Sequence, residues 1–282
     1  MGFCEDLVNR SFPGETTVMH AAAVSLDALI EEHGGVDKIN RRTAMDWVAS
    51  SGLNIVSSGR KMRIFNAACE ELGISSVLDG VSYEDLDFSA DLAKCFFRSY
   101  EDMMGYVSSL VTKKRDYRGD RALITEALIT LVWDGVPQKD IILLNAGDKP
   151  NPAGIRIMCG STPYSLSPQS YFVVTELCNL RMSEGGVDAP LFASKADGTR
   201  WRVNNTNDVF VQLNLNSPEK KILASKLTEN GIFCRMADYI RKNKCSVHDA
   251  AQAVIDKSDR KVSNTTRAFY HWQKFYENPL TK

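Results

Sequence analysis

The sequence predicts a mainly α-helical protein of two domains, with small antiparallel hairpins confined to the second. Three observations predict it. The 282 residues correspond to about two domains at roughly 150 residues each. Apolar residues recur at helical spacing along most of the chain. Short β-type runs flanked by turn residues fall only between residues 155 and 203. With 44% hydrophobic and 24% charged residues, and only 9 Pro and 18 Gly, the composition is that of a globular chain and excludes disordered or collagen-like classes.

The elements follow in order. Thr17–Glu32 has an apolar helical face (Val18, Ala22, Leu26, Ile30) and stops at Gly34-Gly35. Asp37–Ser50 and Ser58–Leu72 are the next helices, ended by Gly52 and Gly73, and an acidic loop from Asp79 to Asp91 leads to a helix over Ser99–Val111. A basic stretch, 112–121, reads as the linker between domains 1–111 and 122–282. Beyond it, Ala122–Trp133 is an apolar helix stopped by Asp134-Gly135, with Pro137 opening a short helix to Leu144. Ile155–Met158 and Tyr164–Leu166 flank a turn as one hairpin, and Leu191–Ser194 and Thr199–Val203 bracket Asp197-Gly198 as a second. Helices are expected over Pro168–Arg181, Asn207–Leu215, Pro218–Glu229, Ile232–Asn243, Val247–Asp256 and Ser263–Tyr276.

Several functions are set aside at this level. No apolar run approaches the roughly 18 residues needed to cross a bilayer. The first residues are acidic where a secretory signal would be basic, so the expectation is a cytoplasmic protein without membrane contact. Seven cysteines are scattered with no C-x-x-C, and His20, His33, His248 and His271 stand at no ligand spacing, so buried thiols and no metal are expected. No phosphate-binding glycine loop or dinucleotide fingerprint occurs, and no cofactor is expected.

Net charge is −1, but its distribution is uneven. Residues 1–110 hold 9 Lys/Arg against 17 Asp/Glu, 111–205 hold 12 against 10, and 206–282 hold 13 against 8. The cations are clumped: Arg41-Arg42; Arg60, Lys61 and Arg63; Lys113, Lys114, Arg115, Arg118 and Arg121; Arg241-Lys242; Arg260-Lys261. Such clumps suit phosphate contacts with a polyanion. Arg60, Lys61 and Arg63 lie close behind Ser57 and Ser58, which read as a helix start, a disposition that would bring a helix end to a phosphate.

Three stretches carry a resemblance. Ala127–Asp140 is similar to an apolar helix running into G-[LV]-R-x-x-E, with Gly135, Val136 and Asp140 in register. Pro190-Leu191-Phe192-Ala193-Ser194 is similar to an LF-x-S strand before a glycine turn. Val262-Ser263-Asn264-Thr265-Thr266, followed by Tyr270-His271, is similar to S-x-S-T-T-x-x-Y-x-H. In this order, over about residues 95–277, they resemble the tyrosine recombinases, or phage integrases. The resemblance implies a helical core-binding-like domain and an α+β catalytic-like domain acting on double-stranded DNA, in which a Tyr attacks a phosphodiester while two Arg, a Lys and His or Trp groups stabilise the transition state.

Those positions are poorly kept. Pro137 stands where the first Arg is expected, the hairpin turn Met158–Tyr164 has no Lys, and Ile232-Phe233-Cys234-Arg235 replaces H-x-x-R, keeping only Arg235. The later His position falls near Asp259. Since removing one preorganised donor costs about 10²–10³ in rate, strand cleavage is not expected, and Arg235 and Tyr270 read as vestiges of a catalytic set. The combination is similar to the repressors of SPβ-type phages. It implies a sequence-specific DNA-binding regulator encoded by a phage or mobile element, with Arg235 as a phosphate ligand. Otherwise Arg235 would be a helix-surface cation paired with Asp238 or Glu229. One alternative is an active recombinase with Tyr270 as nucleophile and Arg115, Arg118 or Arg121 as the first Arg. Another is a helical protein–protein adaptor. The aromatic segment Phe269–Tyr276 suits exchange of a C-terminal helix in a homo-oligomer.

Overall fold

The structure, a computed structural model, describes residues 2–112, 120–194, 196–255 and 261–277. In chain order it forms α1 (Phe3–Ser11), α2 (Thr16–His33), α3 (Arg41–Ala49), α4 (Ile55–Glu71), α5 (Ser89–Cys95), α6 (Tyr100–Thr112), α7 (Asp120–Trp133) and α8 (Gln138–Ile141). Strands β1 (Arg156–Cys159) and β2 (Thr162–Ser165) come next. Then follow α9 (Pro168–Gly185), α10 (Val203–Leu215), α11 (Ala224–Asn243), α12 (Val247–Val254) and α13 (Val262–Glu277). The protein is thus mainly helical, with one two-stranded antiparallel sheet among the described residues.

The chain divides into two compact units, Met1–Leu92 with Asp259–Lys282, and Ala93–Ser258. This differs from the division read in the sequence, where 1–111 and 122–282 flanked a linker. One reason is α6: Met103, Val107 and Leu110 are buried in the same cluster as Leu128 and Leu131 of α7. The other is α13, which packs on the first unit. The Arg267 guanidinium donates to both carboxylate oxygens of Glu84, the His271 ring stands edge-on to Tyr83 and Phe88 at 5.1 and 4.8 Å, and the Tyr276 hydroxyl donates to the Leu92 carbonyl. The aromatic segment that the sequence offered for exchange is therefore packed on its own chain.

In the first unit, α2 ends as expected, because Gly34 at φ +74° turns its N–H back to the Ile30 carbonyl. The start of α4 is corrected. Asn54, accepting from the Val56 and Ser57 N–H groups, caps a helix that begins at Ile55. Arg60, Lys61 and Arg63 consequently sit in its second and third turns, not at its end. Two helices, α1 and α5, were not read from the sequence.

In the second unit, β1 and β2 pair with Ile157 opposite Tyr164 and Cys159 opposite Thr162, around Gly160 at φ +61°. The second hairpin shrinks to one bridge, Ala193 to Arg200. The Arg200 side chain donates to the Ile142 and Leu144 carbonyls at 2.8 and 3.1 Å, and Val203 begins α10 instead of ending a strand. The expected helices 218–229 and 232–243 are one, α11. Asn230 does not end it, because its buried side chain both donates to the Phe97 carbonyl and accepts from the Phe97 N–H. None of the seven cysteines forms a disulfide, and five are buried. Among the described residues no group of side chains could hold a metal ion, and no helix is long and apolar enough to cross a membrane.

Candidate nucleic-acid interface

Several cations of the first unit are already committed. Lys61 turns inward: its Nζ donates to the Trp47 carbonyl at 2.7 Å and to Ser50 Oγ at 2.6 Å, and lies 4.7 Å from the centre of the Trp47 ring. It satisfies the last turn of α3, and burial pulls its pKa down to about 8. Arg63 forms a two-pronged pair with Glu15 at 2.9 and 3.0 Å and stacks over Phe12. Arg41 pins the 77–79 loop through the Val77 and Asp79 carbonyls. The exposed Arg42 has only Asp46, at 4.0 Å. Arg60 has no side-chain hydrogen bond or ion pair among the described residues.

Arg235 occupies a different setting. Helix α7 ends in a Schellman arrangement: the Val136 N–H returns to the Leu131 carbonyl at 2.9 Å and the Gly135 N–H to the Val132 carbonyl at 3.0 Å. Gly135 adopts φ +91°, which a side chain would strain. The Trp133 carbonyl is left outside this pattern, at the negative end of the helix dipole. Helix α11 supplies its partner. Gly231 lies against that carbonyl, so close that a Cβ there would come within 2.0 Å of the oxygen. One turn on, Arg235 Nη1 donates to the same oxygen at 3.1 Å, while Thr228 Oγ1 donates to the Val132 carbonyl at 2.9 Å. Through one glycine and two donors, α11 completes the end of α7.

Arg235 remains about one-third exposed, and its Nη2 and Nε make no hydrogen bond among the described residues. The nearest carboxylate is Asp134, almost wholly buried, whose Oδ1 is 3.6 Å from Arg235 Nη1. The other oxygen, Oδ2, accepts from the Ser167 N–H at 2.8 Å and from Ser167 Oγ at 3.2 Å, tying the N-cap of α9 to the end of α7. Burial raises the Asp134 pKa, opposed by the Arg235 charge and by hydrogen bonds from Ser170 and Ser167. The Tyr100 hydroxyl is buried, within range of the Asp134 charge and near Ser170, and makes no hydrogen bond of good geometry among the described residues; its ring stands edge-on to Trp133 at 6.0 Å. The arrangement leaves Nη2 and Nε of a partly exposed guanidinium without a hydrogen bond among the described residues, beside a buried carboxyl.

Comparison with known proteins adds the following. Neither a protein-family model nor a curated protein matches the sequence. Among solved structures, the chain is similar to the XerA recombinase, at 11% identity and a TM-score of 0.47, over 97% of this chain and 96% of that one. It is also similar to the Tn1549 transposon integrase in complex with transposon right end DNA, at 12% identity and a TM-score of 0.42, over 96% and 95% of the two chains.

The remaining candidates are dispersed. Arg241 pairs with Asp238 in the last turn of α11, whereas the exposed Lys242 and Lys261 have no side-chain partner among the described residues. Arg121 is exposed on α7 and is not without a partner. Lys113, Lys114, Arg115, Arg118, Asp259 and Arg260 lie outside the described residues. Tyr270 stands on α13 with 55% of its surface exposed, in the first unit, whereas Arg235 belongs to the second. Burial pushes the Cys234 thiol up to about 12, away from the thiolate form. Sequence reasoning missed Asp134, read only as a helix stop, and Gly231. A partial signal for Gly231 was present: a lone glycine inside a helical pattern costs about 1 kcal/mol relative to Ala, which a packing contact has to offset.

Proposed function

We propose that the protein is a sequence-specific double-stranded DNA-binding regulator, of the phage or mobile-element repressor kind, on a tyrosine-recombinase-like body that does not cleave DNA. The observation that carries the reading is the open guanidinium of Arg235 at the Asp134–Val136 turn. The stretch 127–140, which carries part of the resemblance, and Arg235, the residue kept from H-x-x-R, lie about a hundred residues apart in sequence and meet there through the Trp133 carbonyl. The meeting leaves a charged fork for a phosphate oxygen. The other positions at this site do not supply the rest of a transesterification set: Pro137 is the N-cap of the short α8, and Ile232 is buried. One guanidinium holds a backbone phosphate but does not activate it. Arg42, Arg60, Lys242 and Lys261 are the described cations left to add contacts, with the basic stretch 113–118 as a further source.

A gel-shift series against DNA from the gene's own neighbourhood tests this. Sequence-dependent binding that weakens steeply with salt is expected, and its absence refutes the reading. Active recombination is the second reading, and the exposure of Tyr270 favours it. A covalent protein–DNA adduct on a nicked duplex, lost in Tyr270→Phe, would establish it over the first.

A further inference from the structure

We infer that Asp134 is a built-in counter-anion at Arg235, so that a phosphate entering this site competes with a carboxylate and binds best when that carboxylate is neutralised. The inference rests on the phosphate-site reading above and concerns how that site is regulated. Its basis is geometric. Asp134 cannot swing away, because Oδ2 is held by the Ser167 N–H and hydroxyl and the side chain is almost wholly buried. Its free oxygen stays 3.6 Å from Arg235 Nη1, too long for a hydrogen bond and close enough to neutralise much of the cation's field. A phosphate on Nη2 and Nε therefore meets a guanidinium that already has a neighbouring negative charge.

Asp134 has an inexpensive way out of this conflict. Burial already favours its neutral form, and a second anion next to Arg235 would favour it further. Binding then takes up a proton. The charged and titratable groups around Asp134 are Arg235 from α11 and the buried Tyr100 hydroxyl from α6; the hydroxyls of Ser167 and Ser170 on α9 hydrogen-bond it but do not titrate. Glu126 of α7 and Glu101 of α6 act on Tyr100. Of these groups, Asp134 is the carboxyl that lies beside Arg235 and that burial biases toward its neutral form.

The test is the affinity of the full chain for its duplex site from pH 5.5 to 8.5 at fixed salt, for the wild type, Asp134→Asn and Arg235→Gln. Asparagine keeps an acceptor for Ser167 and removes the charge. The expected result is wild-type binding that tightens with falling pH by at most tenfold per pH unit, the limit for one proton. Asp134→Asn should bind about tenfold more tightly than wild type at pH 8 and lose this component of the slope. Histidines elsewhere contribute equally to both proteins and cancel in the difference. Should Asp134→Asn fail to fold, Arg235→Gln carries the test, because without the cation the pH-dependent component disappears along with part of the affinity. An Asp134→Asn protein that folds and binds with wild-type affinity and slope overturns the inference while leaving DNA binding intact. No binding by any of the three proteins overturns the phosphate-site reading itself.

Discussion

Two helix ends in this molecule are completed in the same way, and only one of them is left open. In the first unit, Lys61 from α4 donates to the Trp47 carbonyl at the end of α3; in the second, Arg235 from α11 donates to the Trp133 carbonyl at the end of α7. Both place a cation at the negative end of a helix dipole. Lys61 spends its compact head on the Trp47 carbonyl and Ser50 and lies over the Trp47 ring. Arg235 has a planar fork, and one nitrogen suffices for the carbonyl. The comparison teaches that a cation read from sequence is available to a phosphate according to how many donors the fold leaves over, not according to the charge density around it. The clump at 60–63 holds three cations within four residues, and two of the three are used internally.

The largest effect should come from the contact that has no counterpart at Lys61. Gly231→Ala would drive a Cβ to within 2.0 Å of the Trp133 oxygen, which a helix backbone can relieve only by moving α11 off α7. A loss of about 3 kcal/mol or more is expected in chemical denaturation, in the upper range for overpacking, with DNA affinity falling as Arg235 is carried away. A Gly231→Ala protein as stable as wild type would show that the two helices are not locked at this point.

Next comes Arg235→Ala, which should lower DNA affinity by about 1.5–3 kcal/mol, the range for hydrogen bonds to a charged group. The same change also removes the donor to Trp133 and leaves Asp134 buried without its cation, so melting should fall as well. Arg235→Lys separates the two roles, since it keeps a charge at the helix end and loses the fork. Its expected signature is a near-normal melt with weakened binding.

Lys61→Met sharpens the comparison from the other side. It keeps the stem over Trp47 and loses the head, so about 1–2 kcal/mol of stability should go while the salt slope of DNA binding stays unchanged. A lower slope would mean that Lys61 leaves Trp47 to meet a phosphate.

The sequence made the helical class, the hairpin at 156–165 and most helix positions legible, because period and turn chemistry are local. It singled out Arg235 as a phosphate-site candidate through a motif and offered Asp238 or Glu229 as its partner otherwise; in the structure Asp238 pairs with Arg241, and Asp134 faces Arg235. The relation between Asp134 and Arg235 spans a hundred residues and depends on Gly231 allowing two backbones to touch, which no local pattern encodes. Helix α4 began three residues early because Asn54 outcompeted Ser57 and Ser58 as a cap, and Ser58 is buried with its hydroxyl unpartnered. The assignment of α13 to the first unit was hidden for the same reason as the Asp134 contact, since Glu84 and Arg267 are far apart in sequence.

That packing has a pH signature smaller than the effects above. Burial lowers the His271 pKa, opposed by a Tyr83 backbone hydrogen bond and by Glu84. A histidine depressed in the folded state adds stability above its unfolded value near 6.5 and loses it as the pH falls through the folded value. Glu84, held down to about 2 mainly by the Arg267 hydrogen bonds, adds stability above about 4.5 that is lost as the pH falls toward 2. Of these two groups only the histidine contributes between pH 7.5 and 5.5, so this component of melting should drop modestly in the wild type and flatten in His271→Phe. Equal slopes in the two proteins would place the titrating group elsewhere.

The smallest effect expected is that of Tyr270→Phe, and it bears directly on whether the open fork at Arg235 binds or cleaves. Tyr270 is exposed on α13, so removing its hydroxyl uncovers no buried partner and its ring keeps its surroundings. Stability should stay within about 0.5 kcal/mol, the range for surface substitutions. In a binder, a hydroxyl that attacks nothing contributes little, and titration against the duplex site should give wild-type affinity and salt slope. In a cleaving enzyme the same substitution would leave binding intact and abolish the covalent adduct, so affinity alone does not separate the two readings. The decisive comparison is the adduct yield of wild type and Tyr270→Phe on a nicked duplex, read beside Arg235→Ala: no adduct in any protein, with affinity lost only in Arg235→Ala, is the pattern of a phosphate grip that has no nucleophile to serve.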